Sequence, residues 1–318
     1  MNIELKIYDE SYQNDAISLF KNMYLELVYA IPYLPKDDEM MKQIDISIQH
    51  IFKYGTGVMA FMDKKLVGYF LGYSVPQLFG PVKGIYSPMV GHAANKEYRR
   101  LIYAKMLEFS LKNWVDQGYL SFATTLLAHD KGVLKEFNIT GFGMRCMDSI
   151  RKTSRINTCV DDVIIHKAEV KDLADISVLH QYHHEYYRSS PIFMPREPED
   201  ALADINEWMS HENHHLWIAK KDNQAIGYIR IQPNGESIVS HNHQVMNVTG
   251  LYVLEVCRNS GVASLLLDVV QQFLIEQKVD LCGVDFETLN QRAYQFWNRY
   301  FIPYTMSVAR RIDERVIS

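Results

Sequence analysis

The chain has 318 residues, 47% hydrophobic and 22% charged; that is ordinary globular composition, which excludes a disordered or fibrous chain, and the length suggests two domains. Its 33 basic and 38 acidic residues give a formal net charge of −5 with His neutral, which disfavours a nucleic-acid binder that works by neutralising many phosphates. No apolar run approaches the ~20 residues of a membrane span, and Met1–Glu10 lacks the apolar core of a signal peptide. Cys146, Cys159, Cys257 and Cys282 are widely spaced without a C-x-x-C pair and read as free thiols in a reducing compartment. The expectation is a cytoplasmic protein with neither a membrane nor a nucleic-acid partner.

Taken in order, an alternating segment near Ile3 runs into an amphipathic stretch, Asp15–Phe20. A strand pair follows, Val58–Met62 and Leu66–Leu71, around the polar turn Asp63-Lys64-Lys65. After Gly84-Ile85-Tyr86 comes a helix over about Tyr98–Gln117, carrying Leu101, Ala104, Leu107, Leu111 and Trp114, and then a β-rich run, Leu120–Leu127.

The series then recurs about 160 residues later. Val163 leads into Asp175–His180, and Leu216–Ala219 pairs with Ala225–Ile231 around Lys220–Gln224. Gly68-Tyr69 matches Gly227-Tyr228, and Gly84-Ile85-Tyr86 is aligned with Gly250-Leu251-Tyr252. Leu265, Leu266, Val269, Val270, Phe273 and Leu274 share one face of a helix at period 3.6, ahead of Leu281–Phe286. Strands joined by short turns pair antiparallel, whereas strand–helix–strand implies parallel pairing. Each half is therefore expected to be α/β, a mixed sheet with helices on both faces. The polar stretch Arg151–Asp161 separates domains 1–155 and 156–318.

The sharpest motif is the strand Val248-Thr249-Gly250-Leu251-Tyr252-Val253, followed by Arg258-Asn259-Ser260-Gly261-Val262-Ala263 at the start of a helix. The first N–H groups of a helix lack internal partners and sit at the positive end of its dipole, which suits a phosphate or pyrophosphate. Gly261 lets the backbone approach such a group without a Cβ, and Arg258 adds charge. Neither G-x-G-x-x-G nor a Walker loop occurs. Downstream, Asn290-Gln-Arg-Ala293-Tyr-Gln-Phe-Trp297 forms an Asn-x-x-Ala-x-x-aromatic run.

With [QR]-x-x-G-x-[GA] at Arg258–Ala263 and the Asn290 run following in order, the chain resembles the GNAT superfamily, the GCN5-related N-acetyltransferases, in a tandem form. The likeness covers roughly Val163–Ile312 strongly and the first 150 residues in element order. It implies acetyl-CoA bound in the second half. The pyrophosphate would lie on Arg258, Asn259, Ser260, Gly261, Val262, Ala263 and Ser264, and the pantetheine arm on Leu251, Tyr252 and Val253. Asn290 would close the site, and the thioester would lie near Asn247–Leu251. The first half has no such motif. Its counterpart of Asn290 is placed near His129, and it is expected not to bind CoA.

The activity implied is acetyl transfer from CoA to a primary amine of a small molecule or peptide, without a metal. A CoA-binding regulator without turnover is the alternative. An ammonium has no lone pair, so the site needs a base, while a thiolate leaves fairly readily. At the family's usual Tyr acid stands Trp297. Tyr294 and Tyr300 flank it, and Asn247 and Thr249 occupy the fourth-strand positions where relatives carry Glu or His. His243 and His241 have a suitable pKa, so the catalytic candidates are His243, Tyr300 and Tyr294. His211-Glu-Asn-His-His215 matches H-E-x-x-H, but it abuts a strand and is read as a solvated loop.

Overall fold

Two hairpins anchor the architecture, and their turns explain why. Asp63 and Lys64 have φ of 49° and 65°, and Asp222 and Asn223 have φ of 49° and 62°. A two-residue turn with both central residues at positive φ carries the twist that antiparallel strands need. The computed structural model describes residues 2–195 and 200–317. Its chain divides into two units, Met1–Met147 with Pro303–Ser318, and Asp148–Ile302. No described helix is long and apolar enough to cross a membrane.

The first half comprises β1 (Glu4–Ile7), α1 (Gln13–Ala30), α2 (Asp38–Tyr54), β2 (Thr56–Met62), β3 (Lys65–Val75), β4 (Gly84–Ser87), β5 (His92–Ala94), α3 (Arg99–Asp116), β6 (Ser121–Leu127), α4 (Lys131–Ile139) and β7 (Gly143–Lys152). The second comprises β8 (Ile164–Lys167), α5 (Leu173–Arg188), α6 (Ala201–Ser210), β9 (His215–Lys221), β10 (Gln224–Gln232), β11 (Val245–Val253), α7 (Val262–Glu276), β12 (Leu281–Glu287), α8 (Gln291–Tyr300), β13 (Ile302–Pro303) and β14 (Thr305–Arg311). The same element order thus occurs twice.

The units differ from a cut at 155/156 in two respects. Their boundary falls inside β7, and residues 303–318 belong with the first unit. There β14 lies antiparallel to β6 in unbroken register, from Thr305 opposite Leu127 to Arg311 opposite Ser121. Every residue of β6 is buried, so β6 needs a partner on both edges. Which strand fills an edge is a long-range choice that local composition does not encode. The segment after β7 is fastened to α7 instead: Asp268, itself buried, accepts from Arg155 at 2.7 Å and from the Ile156 N–H at 2.6 Å. The Arg155 guanidinium, with the Ile156 and Asn157 amides, holds the Asp268 carboxyl below its usual range.

Helices cover both faces of the second unit's sheet. Successive strand residues point to opposite sides. Ile218 and Tyr228 join Ile176 and Leu179 of α5 and Ile205 of α6 in one apolar cluster. The neighbouring Trp217 packs its ring 5.1 Å from Phe273 of α7 on the other side. In the first unit, likewise, Tyr69 meets Phe52 of α2, whereas Ile102 and Met106 of α3 crowd Gly68.

Candidate active site

The site is built where two parallel strands part. β11 and β12 pair from Val245 opposite Leu281 to Val248 opposite Val284, and no further. β11 continues along β10 to Val253, but with a one-residue bulge, since Arg230 faces Gly250 and Ile231 faces Val248. The bulged residue is Thr249, whose hydroxyl donates to Gln232 Oε1 at 3.3 Å. Beyond it, Gly250–Val253 keep β10 on one edge and face an open fork on the other.

The fork leads toward the start of α7. Gly261 is its N-cap, with φ of 90° and no side chain to cap the first turn. A left-handed residue at this point favours glycine, and a Cβ there would sit 3.0 Å from Val160 Cγ2. The α2 and α8 starts, by contrast, are capped by Asp37 and Asn290. The α7 amides therefore point into a cradle that glycine keeps open, with the charge preference of a phosphate site. Arg258 donates through Nε to the Val253 carbonyl at 3.1 Å and lies 4.6 Å over the Tyr186 ring. Tyr186 in turn donates to Asn290 Oδ1 at 3.1 Å, which also accepts the Ala293 N–H. Strand end, anion loop, α5 and α8 are thus linked through one chain of contacts.

The fork is lined unevenly on its two faces. Gln232 lies opposite Asn247 and accepts the Trp208 indole N–H of α6 at 2.9 Å. Asn247, Gly283 opposite it, and Asp285 two residues on therefore share the α6 face. Asp285 is the first β12 residue of that face beyond the last paired position. Burial, then the charges of Glu236 and Asp148, push its carboxyl up to about 8. Sequence reasoning passed over Asp285. The available signal was an acid inside an otherwise apolar strand, Leu281–Phe286.

The expected catalytic residues sit in the loop before β11 and on α8. His243 is exposed in the loop before β11, six residues ahead of the Thr249 bulge. His241 donates from Nε2 to the Gly235 carbonyl at 2.8 Å, within its own loop. Tyr300 reaches Ser264 Oγ at 2.9 Å in the first turn of α7. Tyr294 packs on Phe286, on the β12 face opposite Asp285. Trp297 is 5% exposed, between Phe296 and Phe301. His211 is the extended cap of α6 and His214 binds the Trp208 carbonyl, so H-E-x-x-H does not lie within a helix.

The α5 histidines form a buried polar line. His180 Nε2 is 2.7 Å from Asp204, and His180 Nδ1 and His183 Nδ1 both reach the Tyr228 hydroxyl, at 3.1 and 2.8 Å. Burial lowers the His180 pKa to about 4, so the neutral ring donates from Nε2 to Asp204 and accepts the Tyr228 O–H.

The first unit has the same frame with different contents. Ala94 lies opposite Gly68 as Val253 lies opposite Gly227. By this register, Gly250-Leu251-Tyr252 corresponds to Gly91-His92-Ala93 rather than to Gly84-Ile85-Tyr86. The alignment slips because a 3-10 turn, Met89–Gly91, splits the strand that in the second unit carries only a bulge. Pairing of β4 with β6 ends at Ser87 opposite Thr124. The next carbonyl, Thr125, accepts from His92 Nε2 at 2.9 Å across the gap. Burial lowers the His92 pKa to about 4, and its Nδ1 accepts from Tyr103 at 2.6 Å. Arg99 Nε donates to the Ala94 carbonyl as Arg258 does to Val253, but its guanidinium is taken by Glu26 at 2.8 Å and Asp130 at 3.2 Å. Asp130 caps α4 as Asn290 caps α8, so the counterpart of Asn290 is Asp130, one residue on from His129.

Comparison with known proteins places this arrangement. Residues 178–301 match the model of the acetyltransferase (GNAT) family. No curated protein matches the chain. A GCN5-related N-acetyltransferase from Sphaerobacter thermophilus superposes with a TM-score of 0.59 at 10% identity, over 97% of this chain and 95% of that one. The GCN5-related glucosamine N-acetyltransferase region of a fungal multi-domain GH3 β-N-acetylglucosaminidase superposes with a TM-score of 0.54 at 10% identity, over 96% of this chain but only 38% of that one. At these identities the structures establish the shared fold. The match to the acetyltransferase (GNAT) family thus lies on residues 178–301, in the second half of the chain.

Proposed function

We propose that the chain transfers an acetyl group from acetyl-CoA to a primary amine, using one cofactor site in the second half. The observation that carries this reading is the fork between β11 and β12 opening toward an uncapped, glycine-started helix. The amides of Gly261, Val262, Ala263 and Ser264, with Asn259 and Ser260 in the loop, hold the pyrophosphate. Arg258 acts by bracing the strand end against Tyr186. The pantetheine amides pair with the open edge of Leu251, Tyr252 and Val253, and Asn290 ties α8 to that wall. A thioester carbonyl at the bulge then meets backbone N–H groups of β11 that β12 leaves unpaired, and such donors stabilise the oxyanion as the amine attacks.

The first half, in this reading, is a support without CoA. Its fork is bridged by His92 and its arginine is neutralised by Glu26 and Asp130, which place negative charge where a pyrophosphate would sit. The test is release of free CoA thiol from acetyl-CoA across a panel of amines, from amino sugars to polyamines and peptides with a free amino group. Release that depends on a particular amine is the expected result. Binding of acetyl-CoA with no release in the presence of any amine would favour a regulatory role instead.

A further inference from the structure

Resting on the acetyl-transfer reading, the question left is what deprotonates the acceptor, because the β11 positions Asn247 and Thr249 offer no base. We infer that Asp285, with Glu236 beside it at the mouth of the fork, is the group whose carboxylate takes the proton of the acceptor ammonium. Asp285 stands on the α6 face of the sheet, at the first position of that face past the last β11–β12 pair. Glu236 comes from the loop between β10 and β11, and its carboxylate oxygen lies within 4.8 Å of that of Asp285. The loop is pinned to this face by Asn247 Nδ2, which donates to the Ser240 carbonyl at 2.9 Å.

The charged groups facing Asp285 are Glu236 from the loop, Asp148 from β7 and Glu287 from its own strand. With burial they raise its proton affinity to about 8. A like charge this close disfavours ionisation of Asp285, so Asp285 binds a proton more tightly than an ordinary Asp. A carboxylate of that basicity is nearer an ammonium than an ordinary Asp and is the better proton acceptor.

The step balances as follows. One ammonium N–H bond breaks and its proton goes to Asp285. The freed nitrogen lone pair forms the N–C bond, and the C–S bond breaks with its electron pair on sulfur. A second nitrogen proton goes to that thiolate. The proton on Asp285 then passes to solvent.

The test combines carboxyl ¹³C NMR titration of the full chain with the pH profile of kcat, using the most active amine of the panel, for wild type, Asp285→Asn and Glu236→Gln. Asp285 is expected to titrate near pH 8 in wild type, and kcat to rise through the same range. Glu236→Gln removes one like charge, so both are expected to move to lower pH. Asp285→Asn is expected to lower kcat by ~10²–10⁴-fold with acetyl-CoA affinity held within about threefold. An Asp285 that titrates in the ordinary carboxylate range, a limb unmoved by Glu236→Gln, or turnover retained in Asp285→Asn would each overturn the inference. A wild-type chain inactive with every amine contradicts acetyl transfer itself, whereas the NMR arm tests the basicity of Asp285 independently.

Discussion

Deleting residues 303–318 is expected to leave the chain insoluble or without a cooperative melting transition. The deletion removes β14 from the edge of β6 over seven register positions and takes with it Tyr304, Thr305 and Val308, all buried. Burying a large apolar side chain contributes about 1.5–3 kcal/mol, and each ladder hydrogen bond adds about 1 kcal/mol net. Losing two such side chains and the ladder is comparable to the ~5–15 kcal/mol that keeps a typical domain folded. It also exposes an apolar strand edge, which promotes aggregation. Adding a synthetic peptide of residues 303–318 during refolding should recover soluble protein. A truncated chain that stays soluble and melts within a few degrees of wild type would show that β14 is dispensable to the first unit.

Gly261→Asp has the second large effect, on binding rather than folding. Gly261 has φ of 90°, and a Cβ would press on Val160 Cγ2 at 3.0 Å. The left-handed conformation alone costs an L-residue about 1–2 kcal/mol. A carboxylate about 4 Å from a phosphate adds repulsion of about 4 kcal/mol per charge pair at an effective dielectric of 20. Since each 1.4 kcal/mol is tenfold, Gly261→Ala should weaken acetyl-CoA binding about tenfold and Gly261→Asp a further ~10²-fold or more. Equal affinities in the two variants would mean that no anion sits at this helix start.

Much of the fold was legible because it rests on local signals. The polar turns at Asp63-Lys64 and Asp222-Asn223, the 3.6-residue periodicity of Leu265–Leu274 and the recurrence at about 160 residues all reappear in the structure. The Arg258–Ala263 loop was legible for the same reason, since its glycine and the following helix are adjacent in sequence. The exchange of β14 was not, because β6 and β12 present similar edges and only tertiary pairing assigns them. Gly84 aligns with Gly250 on a shared Gly-apolar-Tyr pattern, whereas the strand register, interrupted in the first half by the Met89–Gly91 turn, matches Gly250 with Gly91.

The chemistry was less legible than the scaffold. Histidines and tyrosines drew attention by type, yet Tyr300 is spent on Ser264 and His180 on Asp204 and Tyr228. Asp285 acquires its character from burial, then from Glu236, 49 positions earlier, and from Asp148 on another strand. Basicity of that kind belongs to an arrangement in space, and the residue type alone does not carry it. The same holds for the first half, where Glu26, Arg99 and Asp130 converge from three separate helices or caps.

Calorimetric titration of acetyl-CoA into the intact chain, with free CoA as comparison, tests the central claim most directly. The account predicts one site per chain, with both ligands bound because the pyrophosphate and pantetheine contacts are common to them. Two sites would contradict the sealed first half, and no binding at millimolar ligand would contradict the acetyl-transfer reading as a whole.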